Sequence, residues 1–468
     1  MLKAYEVEHD DVGIMDKPDI SGKNISVIGA ARSGVAVAEL LAKHGANVFV
    51  SDKSPRDKIA AQVDELTAAG IEIETGYHTD RVLDADIIVL SPGVPSSIDI
   101  VRKARSQGIK IVAEIEIASW FNSAPMIAVT GTNGKTTTTT LLGRLLDDGR
   151  KHAVVAGNIG TAFSSVVDEM NEGSIAVLEV SSFQLDDIET FHPLVSIILN
   201  ITPDHLDRYE HSFEKYIASK CRVFENQTLS DHLIYNDDDP ATRDAVNRYA
   251  ASHVQTLPFS IHHEYETGAF VKNGTLVTSL HRMPAEIIDV EQISIKGVHN
   301  LYNSMAAVLA AQITGVSIPS IRATLKNFKG VEHRLEFVRE IHGVKYVNDS
   351  KATNVDSVWY ALQSFREPIV LLLGGRDKGN DYSKLFDLVK RHVKKIIAIG
   401  ESARKVEQAF QAICAVSVSK SMKEAVLAAS SNASTGDVVL LSPACASFDW
   451  FENYEHRGRV FKEIVNGL

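Results

Sequence analysis

Cysteine is scarce in this chain: its 468 residues include three, Cys221, Cys414 and Cys445, and no CxxC spacing. The sequence therefore indicates neither a disulfide framework nor a thiolate metal site. Positive charge is also in deficit, because 48 Lys and Arg face 60 Asp and Glu, a formal net charge of −12. Such a chain lacks the basic surface expected of a protein that binds nucleic acid or anionic membranes. Anionic substrates would have to meet local groups of positive charge.

Long apolar runs are missing as well. No stretch reaches the ~18 apolar residues that a membrane helix needs, and the start, MLKAYEVEHDD, is acidic and lacks the apolar centre of a signal peptide. Hydrophobic residues make up 44% and charged residues 23% of the chain, which excludes a disordered or fibrous protein. We expect a cytoplasmic protein with no nucleic-acid partner and no membrane insertion.

Short β-branched runs alternate with helical patterns along most of the chain, which is typical of α/β layers with mostly parallel strands. At roughly 150 residues per domain, the length suggests about three domains. The strand series break near residues 113 and 330, and the stretch 254–295 is ambiguous but more β-like. The sequence therefore predicts a three-domain α/β protein with domains at 1–113, 114–330 and 331–468.

A first glycine-rich turn, 29–34, joins a predicted strand to a predicted helix, and Asp52 ends the next strand. Such a turn can hold phosphate through backbone N–H groups at the helix start, and an acidic residue about 20 positions later can meet a ribose. The dinucleotide fingerprint requires glycine at position 31, where this chain has Ala31. Three interpretations stay open: a turn without a ligand, an NAD(P) site and, as the best fit, a site for another nucleotide.

A second glycine-rich loop gives a much stronger signal, because it follows the strand pattern MIAVT and leads into a helical pattern. Its residues are Gly131, Thr132, Asn133, Gly134, Lys135, Thr136 and Thr137. Backbone N–H groups and Lys135 would hold the β- and γ-phosphates, while the hydroxyl of Thr136 or Thr137 would reach Mg²⁺. Val129 stands where the standard loop has glycine, so the loop is a shortened variant. The sequence predicts an ATP site.

Two further strand ends carry candidate metal-binding groups. Glu179 ends the run AVLEV, and His205 follows the run VSIILNIT beside Asp204. Ligands of open α/β sheets bind beyond the carboxyl ends of the strands, so these side chains can share a metal with the phosphate loop. Taken alone, His205 is equally consistent with a helix cap or a surface residue.

Nine motifs occur in the order seen in the Mur ligases, which the chain resembles over essentially its whole length. They are TGTNGKTT, LEVSSFQL, LNITPDHLDRY, SKCRVFEN, GVHNLYN, EHRLEF, VNDSKATN, LLLGGRDKG and LLSPACASFDWFENYEHRG. The resemblance implies a Rossmann-like N-terminal domain for a uridine nucleotide, a central P-loop ATPase domain, and a Rossmann-like C-terminal domain that closes over an amino acid.

The motifs DSKATN, GGRDKG and SPACASFDWF are similar to those of the family member that adds D-glutamate. The Asp-Asn-Pro-Arg motif of diaminopimelate or lysine adders and the GTNGKGS loop of folylpolyglutamate synthases are absent from the sequence. The implied activity is the ATP-dependent addition of D-glutamate to UDP-N-acetylmuramoyl-L-alanine through an acyl phosphate, in peptidoglycan precursor synthesis. We expect the protein to be a monomer.

The resemblance also implies roles for individual residues. Around the UDP-linked substrate it places Arg32, Ser33, Asp52 and Asn158. Around ATP it adds to the loop 131–137 the residues Asn300, Asn303, Arg334 and Asp349. Around D-glutamate it places Lys351, Thr353, Lys378, Ser447 and Phe448. Two Mg²⁺ ions would be held by Thr136, Glu179, His205 and Lys220, the last as a carbamate. Catalysis would rest on Lys135, His205 and Lys220.

Alternatives remain at this point. Arg376 stands where some members carry an acidic residue, which leaves the acceptor contacts open. A folylpolyglutamate-synthase-like enzyme or another Mur-type ligase with a different acceptor is the second enzyme hypothesis. A regulatory nucleotide switch is the third, although such a protein has no need of a metal-binding lysine. His299 and His333 are equally consistent with satisfied buried histidines. Packing is the favoured interpretation for the other candidates, which are Trp120, Phe121, Trp450, Phe451 and the thiol Cys445.

Overall fold

The structure is a computed structural model that describes residues 18–250, 254–377 and 379–468. The chain divides into two compact units, Met1–Lys135 with Arg150–Pro258 and Thr136–Gly149 with Phe259–Leu468. Among the described residues, no helix has both the length and the apolar character needed to cross a bilayer.

The first unit begins with a five-stranded parallel sheet. Its strands are β1 (Asn24–Ile28), β2 (Asn47–Asp52), β3 (Glu72–Thr75), β4 (Ile87–Leu90) and β5 (Lys110–Ala113). The helices of this part are α1 (Arg32–Lys43), α2 (Ala60–Ala68), α3 (Asp99–Ser106) and α4 (Glu114–Phe121). The strand order is β3-β2-β1-β4-β5. The order reverses between β1 and β4, and ligands of doubly wound sheets bind beyond the carboxyl ends at such a point.

Both faces of this sheet are covered, which explains why its central strands are apolar without alternation. Val27 and Val89 belong to one buried core cluster, whereas Ile28 and Ile88 belong to another. Successive strand residues point to opposite faces, so the two clusters lie on opposite sides of the sheet.

A second sheet follows in the same unit. Its strands are β6 (Met126–Thr130), β7 (His152–Gly157), β8 (Ser174–Glu179), β9 (Val195–Ile198), β10 (His232–Asn236) and β11 (Gln255–Ser260), in the order β11-β10-β9-β6-β8-β7. The pairs among β6 to β10 are parallel. The helices that begin in this stretch are α5 (Lys135–Asp148), α6 (Ser182–Leu185), α7 (Phe213–Cys221) and α8 (Pro240–Tyr249).

A buried carboxylate fixes helix α4, which directly follows β5. Glu116 is fully buried, and its Oε1 accepts hydrogen bonds from Trp120 Nε1 at 2.8 Å and from the Thr190 backbone N–H at 2.9 Å. Its Oε2 accepts from the Phe191 backbone N–H at 2.9 Å. A buried donor without a hydrogen-bond partner costs free energy of folding, so the carboxylate that accepts from all of them holds α4 against the segment 189–191. Trp120 is part of the core and not a stacking platform.

The second unit holds the remaining elements. Its strands are β12 (Gly268–Lys272), β13 (Thr275–Leu280), β14 (Met283–Asp289), β15 (Glu336–Ile341), β16 (Val344–Asn348), β17 (Ile369–Gly374), β18 (Val393–Ile399), β19 (Ala415–Val418) and β20 (Val438–Leu441). Its helices are α9 (Val298–Ile313), α10 (Ile318–Asn327), α11 (Val355–Gln363), α12 (Phe386–His392), α13 (Ala403–Phe410), α14 (Met422–Asn432) and α15 (Tyr454–Asn466).

Two strand arrangements occur in this unit. Strands β12, β13 and β14 form an antiparallel meander, and the end of β11 pairs with β12. The stretch 254–295, ambiguous from its sequence, is therefore β-structure. The other sheet has the order β15-β16-β20-β17-β18-β19 and is parallel except for its edge strand β15. The predicted α/β fold class with mostly parallel sheets is confirmed.

We predict that Gly34→Ala destabilises the protein, because helix α1 begins in close contact with the turn after β1. A Cβ at position 34 would lie 1.8 Å from the backbone oxygen of Gly29 and 2.5 Å from Ser91 Oγ. Backbone would have to move, so we expect a loss of at least about 2 kcal/mol. Thermal unfolding measures it, with Gly93→Ala as the control, since a Cβ there meets nothing within 4 Å. Equal stability of both variants would contradict this account.

Candidate active site

The loop after β6 requires glycine at its first position. Gly131 has φ +145°, a backbone conformation that other residues rarely adopt. A Cβ there would lie 3.1 Å from Leu199 Cβ and 3.3 Å from the backbone of Asn200. Strand β6 is buried along its whole length, so it fixes where this loop begins. The predicted order of buried strand, glycine loop and helix is present.

Asn200, to which sequence reasoning gave no role, holds the loop from the end of the neighbouring strand β9. Its Oδ1 accepts from the Asn133 N–H at 2.8 Å, and its Nδ2 donates to the Asn133 carbonyl at 2.9 Å. Its backbone oxygen accepts from the Thr132 N–H at 2.9 Å. Two loop N–H groups are thus used internally. The N–H groups at the start of α5 are those that a helix leaves without intrahelical partners, and they suit a phosphate.

Two lysine side chains converge on the loop. Lys135 Nζ donates to the carbonyls of Gly131 and Thr132, each at 2.9 Å. Lys220 Nζ donates to the same Gly131 carbonyl at 2.8 Å and is 1% exposed. Burial lowers the pKa of Lys220 well below its ordinary value, and the charge of Lys135 lowers it further. Lys220 therefore loses its proton to give a neutral amine more readily than an exposed lysine does.

Helix α7 delivers Lys220 together with Tyr216, one turn earlier on the same face. The Lys220 ammonium lies 4.6 Å from the centre of the Tyr216 ring. The Tyr216 hydroxyl forms a hydrogen bond with Thr132 Oγ1 at 3.2 Å. The Thr132 hydroxyl in turn donates to the Thr202 carbonyl at 3.0 Å. These contacts join α7 to the phosphate loop.

Glu179 has the properties of a cation ligand. It ends β8, is 4% exposed, and its Oε2 is buried and has no hydrogen-bond partner among the described residues. A buried carboxylate oxygen without a partner is costly unless a cation or donor completes it. Asn158 follows β7 at the same edge, and its backbone N–H donates to the Glu179 carbonyl at 2.8 Å. The residues present therefore fit a hard divalent cation here.

His205 occupies a turn with left-handed backbone, at φ +51°. Its backbone N–H donates a hydrogen bond to Asp204 Oδ1 at 2.9 Å, and its side chain is 42% exposed. The ring meets the edge of Phe183 with centroids 5.8 Å apart. The Arg208 guanidinium covers the face of the same Phe183 ring at 4.4 Å. His205 is thus an accessible imidazole held by its turn, and not a helix-internal packing residue.

Arg208 also borders a small cleft in the first unit. Its guanidinium donates to the carbonyls of Pro92 at 3.2 Å and Gly93 at 3.1 Å. The cleft is lined by residues that follow β4 and by residues of the α6 region. Sequence reasoning did not single out Arg208, because its partners lie more than a hundred positions away.

The first glycine turn is built around Asp52. Its Oδ2 accepts from the Ala30 N–H at 2.6 Å, and its Oδ1 accepts from the Ser54 N–H at 2.7 Å. Arg32 and Ser33 are the first residues of α1; Arg32 is exposed and Ser33 is half-buried. Asp52 therefore has a structural role in shaping the turn. Each carboxylate oxygen has the capacity to accept a second hydrogen bond.

In the second unit, Asn300 and Asn303 are buried on the first turns of α9. Asn303 Nδ2 donates to Asn300 Oδ1 at 3.2 Å, and Asn300 Nδ2 donates to the Lys296 carbonyl at 2.8 Å. Next to them, burial lowers the pKa of His299 to about 3, with a further contribution from the Arg334 guanidinium. His299 is therefore neutral at physiological pH.

Asp349 is a buried carboxyl at the end of β16. Its Oδ1 accepts from the Leu335 N–H at 3.2 Å, and its Oδ2 accepts from Ser442 Oγ at 2.8 Å. Burial raises the pKa of Asp349 to about 6, and the nearby Arg334 guanidinium opposes that shift. Arg334 and Asp349, both predicted ATP-binding residues, are thus electrostatically coupled.

The predicted acceptor residues that the structure describes lie on two loops. Lys351 Nζ donates to Thr136 Oγ1 and lies 5.5 Å from the centre of the Tyr454 ring. Thr353 is half-buried, Ser447 is 2% exposed, and Phe448 is 61% exposed. Lys378 lies outside the described residues.

Arg457 is the main residue of this region that sequence reasoning missed. Its guanidinium is buried and donates to Ser350 Oγ at 2.9 Å, to the Ser350 carbonyl at 2.7 Å and to the Cys445 carbonyl at 3.1 Å. Burial lowers the pKa of Arg457 to about 10. One side chain of α15 therefore joins the loop that carries Lys351 to the loop that carries Ser447. The motif NYEHRG contained it, but arginine in an amphipathic helix ordinarily indicates a solvated surface.

One cluster of possible metal ligands belongs to an ion-pair network instead. Glu332, His333 and Glu336 offer ligand atoms within 4.8 Å of one another. Lys462 Nζ lies 2.5 Å from Glu332 Oε1 and 2.9 Å from Glu336 Oε1, so an ammonium already pairs with both carboxylates. The His333 ring is buried and its Nδ1 contacts Asn348 Nδ2 at 2.9 Å. His333 is a satisfied buried histidine.

Comparison with known families and proteins gives full-length matches. Residues 23–113 match the model of the Mur ligase MurD-like N-terminal domain, 129–311 the Mur ligase middle domain, and 333–445 the Mur ligase glutamate ligase domain. The UDP-N-acetylmuramoylalanine–D-glutamate ligase of Chloroherpeton thalassium is 47% identical, over 97% of this chain and 100% of that protein. The ligase of the same name from Salinibacter ruber is also 47% identical over the same shares. The chain belongs to the Mur ligase family.

Solved structures agree on the fold of this Mur ligase. The UDP-N-acetylmuramate-alanine ligase MurC of Thermotoga maritima aligns with a TM-score of 0.60 at 18% identity, covering 95% of this chain and 99% of that one. A pseudomurein peptide ligase of Methanothermus fervidus aligns with a TM-score of 0.58 at 20% identity, covering 95% and 100%. The predicted family and three-domain fold class are confirmed, and the alternative of a nucleotide switch is excluded. The domain boundaries and the roles of single residues stay predictions.

We predict that Asp349→Asn removes a pH-dependent loss of stability. An acid whose pKa is raised in the folded protein, from 3.8 to about 6, loses stability as pH rises through that interval. The full penalty, about 3 kcal/mol, applies above about pH 6. Relative to the variant, the wild-type unfolding temperature should therefore fall between about pH 4 and pH 6.

Thermal unfolding of the full chain across this range measures the difference. Other titrating groups are the same in both proteins and cancel. Asp387→Asn is the control, because Asp387 is exposed on helix α12. A constant difference between wild type and Asp349→Asn would contradict the raised pKa.

Proposed function

We propose that this Mur ligase joins D-glutamate to UDP-N-acetylmuramoyl-L-alanine at the expense of ATP, as a cytoplasmic monomer of peptidoglycan precursor synthesis. The observation that carries the ligase chemistry is the convergence of Lys135 and Lys220 on the carbonyl of Gly131. The acceptor and the UDP-linked substrate come from the names of the relatives, which match along the whole chain.

The reaction needs an activated carboxylate, because a free carboxylate does not react with an amine at neutral pH. Transfer of the γ-phosphoryl group to the alanyl carboxylate breaks a P–O bond of ATP and forms an acyl phosphate and ADP. The amine of D-glutamate then attacks the acyl carbon, and phosphate leaves from the tetrahedral intermediate as the amine loses a proton. Two anions must approach each other, so the positive charges of Lys135 and Arg334 lower the barrier.

Two Mg²⁺ ions would be held by Thr136, Glu179, His205 and a carbamate on Lys220. When bound, such ions neutralise phosphate charge and orient the transferred group. The unpartnered Oε2 of Glu179 supports this assignment, as do the accessible ring of His205 and the low pKa of Lys220. In the same proposal, ATP contacts the loop 131–137 and the residues Asn300, Asn303, Arg334 and Asp349.

We assign the substrates to three domains. Residues 1–113 bind the UDP moiety, 114–330 bind ATP, and 331–468 bind the amino acid. The residues proposed for the UDP-linked substrate are Arg32, Ser33, Asp52 and Asn158. Those proposed for D-glutamate are Lys351, Thr353, Lys378, Ser447 and Phe448, whose ammonium groups, hydroxyls and backbone N–H groups can satisfy two carboxylates.

The first test is the choice of acceptor. Phosphate release by the purified chain with ATP and UDP-N-acetylmuramoyl-L-alanine should require D-glutamate in a panel of D- and L-amino acids. Fixed contacts to two carboxylates and one amine cannot all be made by the mirror-image acid. Lys135→Ala should retain less than about a tenth of the wild-type turnover, because it loses the charge beside the phosphate loop. Preference for L-glutamate or a diamino acid would contradict the acceptor and leave the ligase chemistry standing.

The second test concerns the carbamate. The neutral amine of Lys220 adds to carbon dioxide and releases one proton, and its low pKa favours this reaction. Isotopically labelled bicarbonate should give a carbamate NMR signal that disappears in Lys220→Ala and persists in Lys215→Ala. Lys215 is the matched control, because it lies on the same helix with a side chain that is 53% exposed. A signal that survives Lys220→Ala, or no signal in wild type, would contradict the carbamate.

A further inference from the structure

The side chain of Arg208 joins loops that belong to two different sheets of the first unit. Arg208 lies on the short helix Leu206–Tyr209, which follows strand β9 of the second sheet. Its guanidinium donates to the carbonyls of Pro92 at 3.2 Å and Gly93 at 3.1 Å, in the loop that follows strand β4 of the first sheet. A guanidinium carries several donors in one plane, so it can bond the carbonyls of two consecutive residues at once.

At the first sheet, this loop is fixed to the glycine turn that follows β1. The Ser91 N–H donates to the Ile28 carbonyl at 3.1 Å, and the buried Ser91 Oγ donates to the Gly29 carbonyl at 2.8 Å. Ser91 directly precedes Pro92, whose carbonyl Arg208 binds. A displacement of the glycine turn is therefore passed through Ser91 to the carbonyls that hold Arg208.

At the second sheet, the same arginine is in contact with the turn that carries His205. The guanidinium carbon lies 4.4 Å from the centre of the Phe183 ring, and the rings of Phe183 and His205 meet edge to face with centroids 5.8 Å apart. The Arg208 backbone N–H also donates to the His205 carbonyl at 3.0 Å. The position of the His205 imidazole therefore depends on where Arg208 is held.

Arg208 is a half-buried cation, which strengthens these contacts. Burial lowers the pKa of its guanidinium, and the nearby groups of Tyr209, Asp186 and Asp207 oppose that shift. An arginine side chain keeps its charge at physiological pH. Hydrogen bonds from a charged donor are stronger than those between neutral groups, above all where water is partly excluded. The connection between the two loops is therefore stronger than a neutral side chain could make it.

We propose that Arg208 is a positioning residue that couples the glycine turn at Gly29 to the turn that carries His205. The inference rests on the proposed function, because it takes the glycine turn as the site of the UDP group and His205 as part of the ATP and metal site. Arg208 acts through these two turns, since its guanidinium is engaged with protein carbonyls. The alignment matters because a misplacement of about 1 Å between reacting groups can cost about a hundredfold in rate.

Hydrogen–deuterium exchange of the full chain, with UDP as the probe, tests the coupling. In wild type, UDP should slow the exchange of backbone amides in 27–34, where it binds, and in 204–210, which it reaches through Arg208. Arg208→Met keeps an unbranched side chain against Phe183 and loses every donor, so it should keep the first effect and lose the second. Arg208→Lys should keep part of the second effect, because an ammonium can still donate to the same carbonyls.

Steady-state kinetics add a measurement that simple loss of folded protein would not reproduce. Arg208→Met should lower kcat about tenfold to hundredfold, the cost of misalignment. The KM of ATP should not change, because Asn200 holds the phosphate loop independently of Arg208. The number of binding sites for a non-hydrolysable ATP analogue should equal that of wild type, which shows that the variant is folded. Arg208→Lys should recover part of the lost kcat.

Arg248→Met is the matched control, since Arg248 is exposed on helix α8 of the same unit and should show both wild-type effects. Protection of 204–210 that persists in Arg208→Met would overturn the proposal, because UDP or another contact would then reach this turn directly. Wild-type protection confined to 27–34 would overturn it as well, and would leave the UDP site standing. UDP that protects neither segment would refute the proposed substrate site, and this proposal with it.

Discussion

Two lysine side chains donate to one backbone oxygen, that of Gly131, and the chemistry of the site depends on this arrangement. Two cations so close together repel each other, and together with burial this repulsion favours the neutral amine of Lys220. Surface charges are screened beyond about 8 to 10 Å, and buried ones much less. The charge of Lys135 therefore prepares the loop for an anion, while burial and the same charge lower the pKa of the Lys220 amine.

This arrangement requires that the loop itself does not move. Buried strand β6 delivers Gly131, Asn200 at the end of β9 bonds the loop backbone, and Glu179 ends β8 on the other side. Parallel strands place all their carboxyl ends at one edge, so the groups gather without any long side chain reaching across the sheet. The turn around Asp52 in the first sheet follows the same rule. The Asp52 carboxylate, at the end of β2, accepts from the Ala30 N–H just after β1 and from the Ser54 N–H of its own turn.

Buried polar side chains hold the segments between these strands. Glu116 bonds the segment 189–191, and Arg457 bonds the loops that carry Lys351 and Ser447. A buried ion is stable only where its hydrogen-bonding groups are satisfied, so each of these residues accepts or donates several bonds. Asp349 is the exception, because two bonds and a nearby Arg334 leave its pKa at about 6. A carboxyl that is poorly stabilised in the free protein suits a position where substrate binding changes the local charge.

The sequence alone determined the α/β class, the phosphate loop and the membership of the Mur ligases, because strand runs, glycine spacing and motif order are local patterns. It could also place Glu179 at the end of its strand, since the rule for parallel sheets needs only the strand and its last residues, whereas His205 lies in a turn beyond β9. The tertiary structure alone decided that Lys220 reaches Gly131, 89 positions away, and that Arg457 reaches Ser350, 107 positions away. It also decided that Asn200 holds the loop. These contacts depend on which distant segments pack together, and burial, which sets the pKa values and the cost of an unpaired group, exists only in the folded chain.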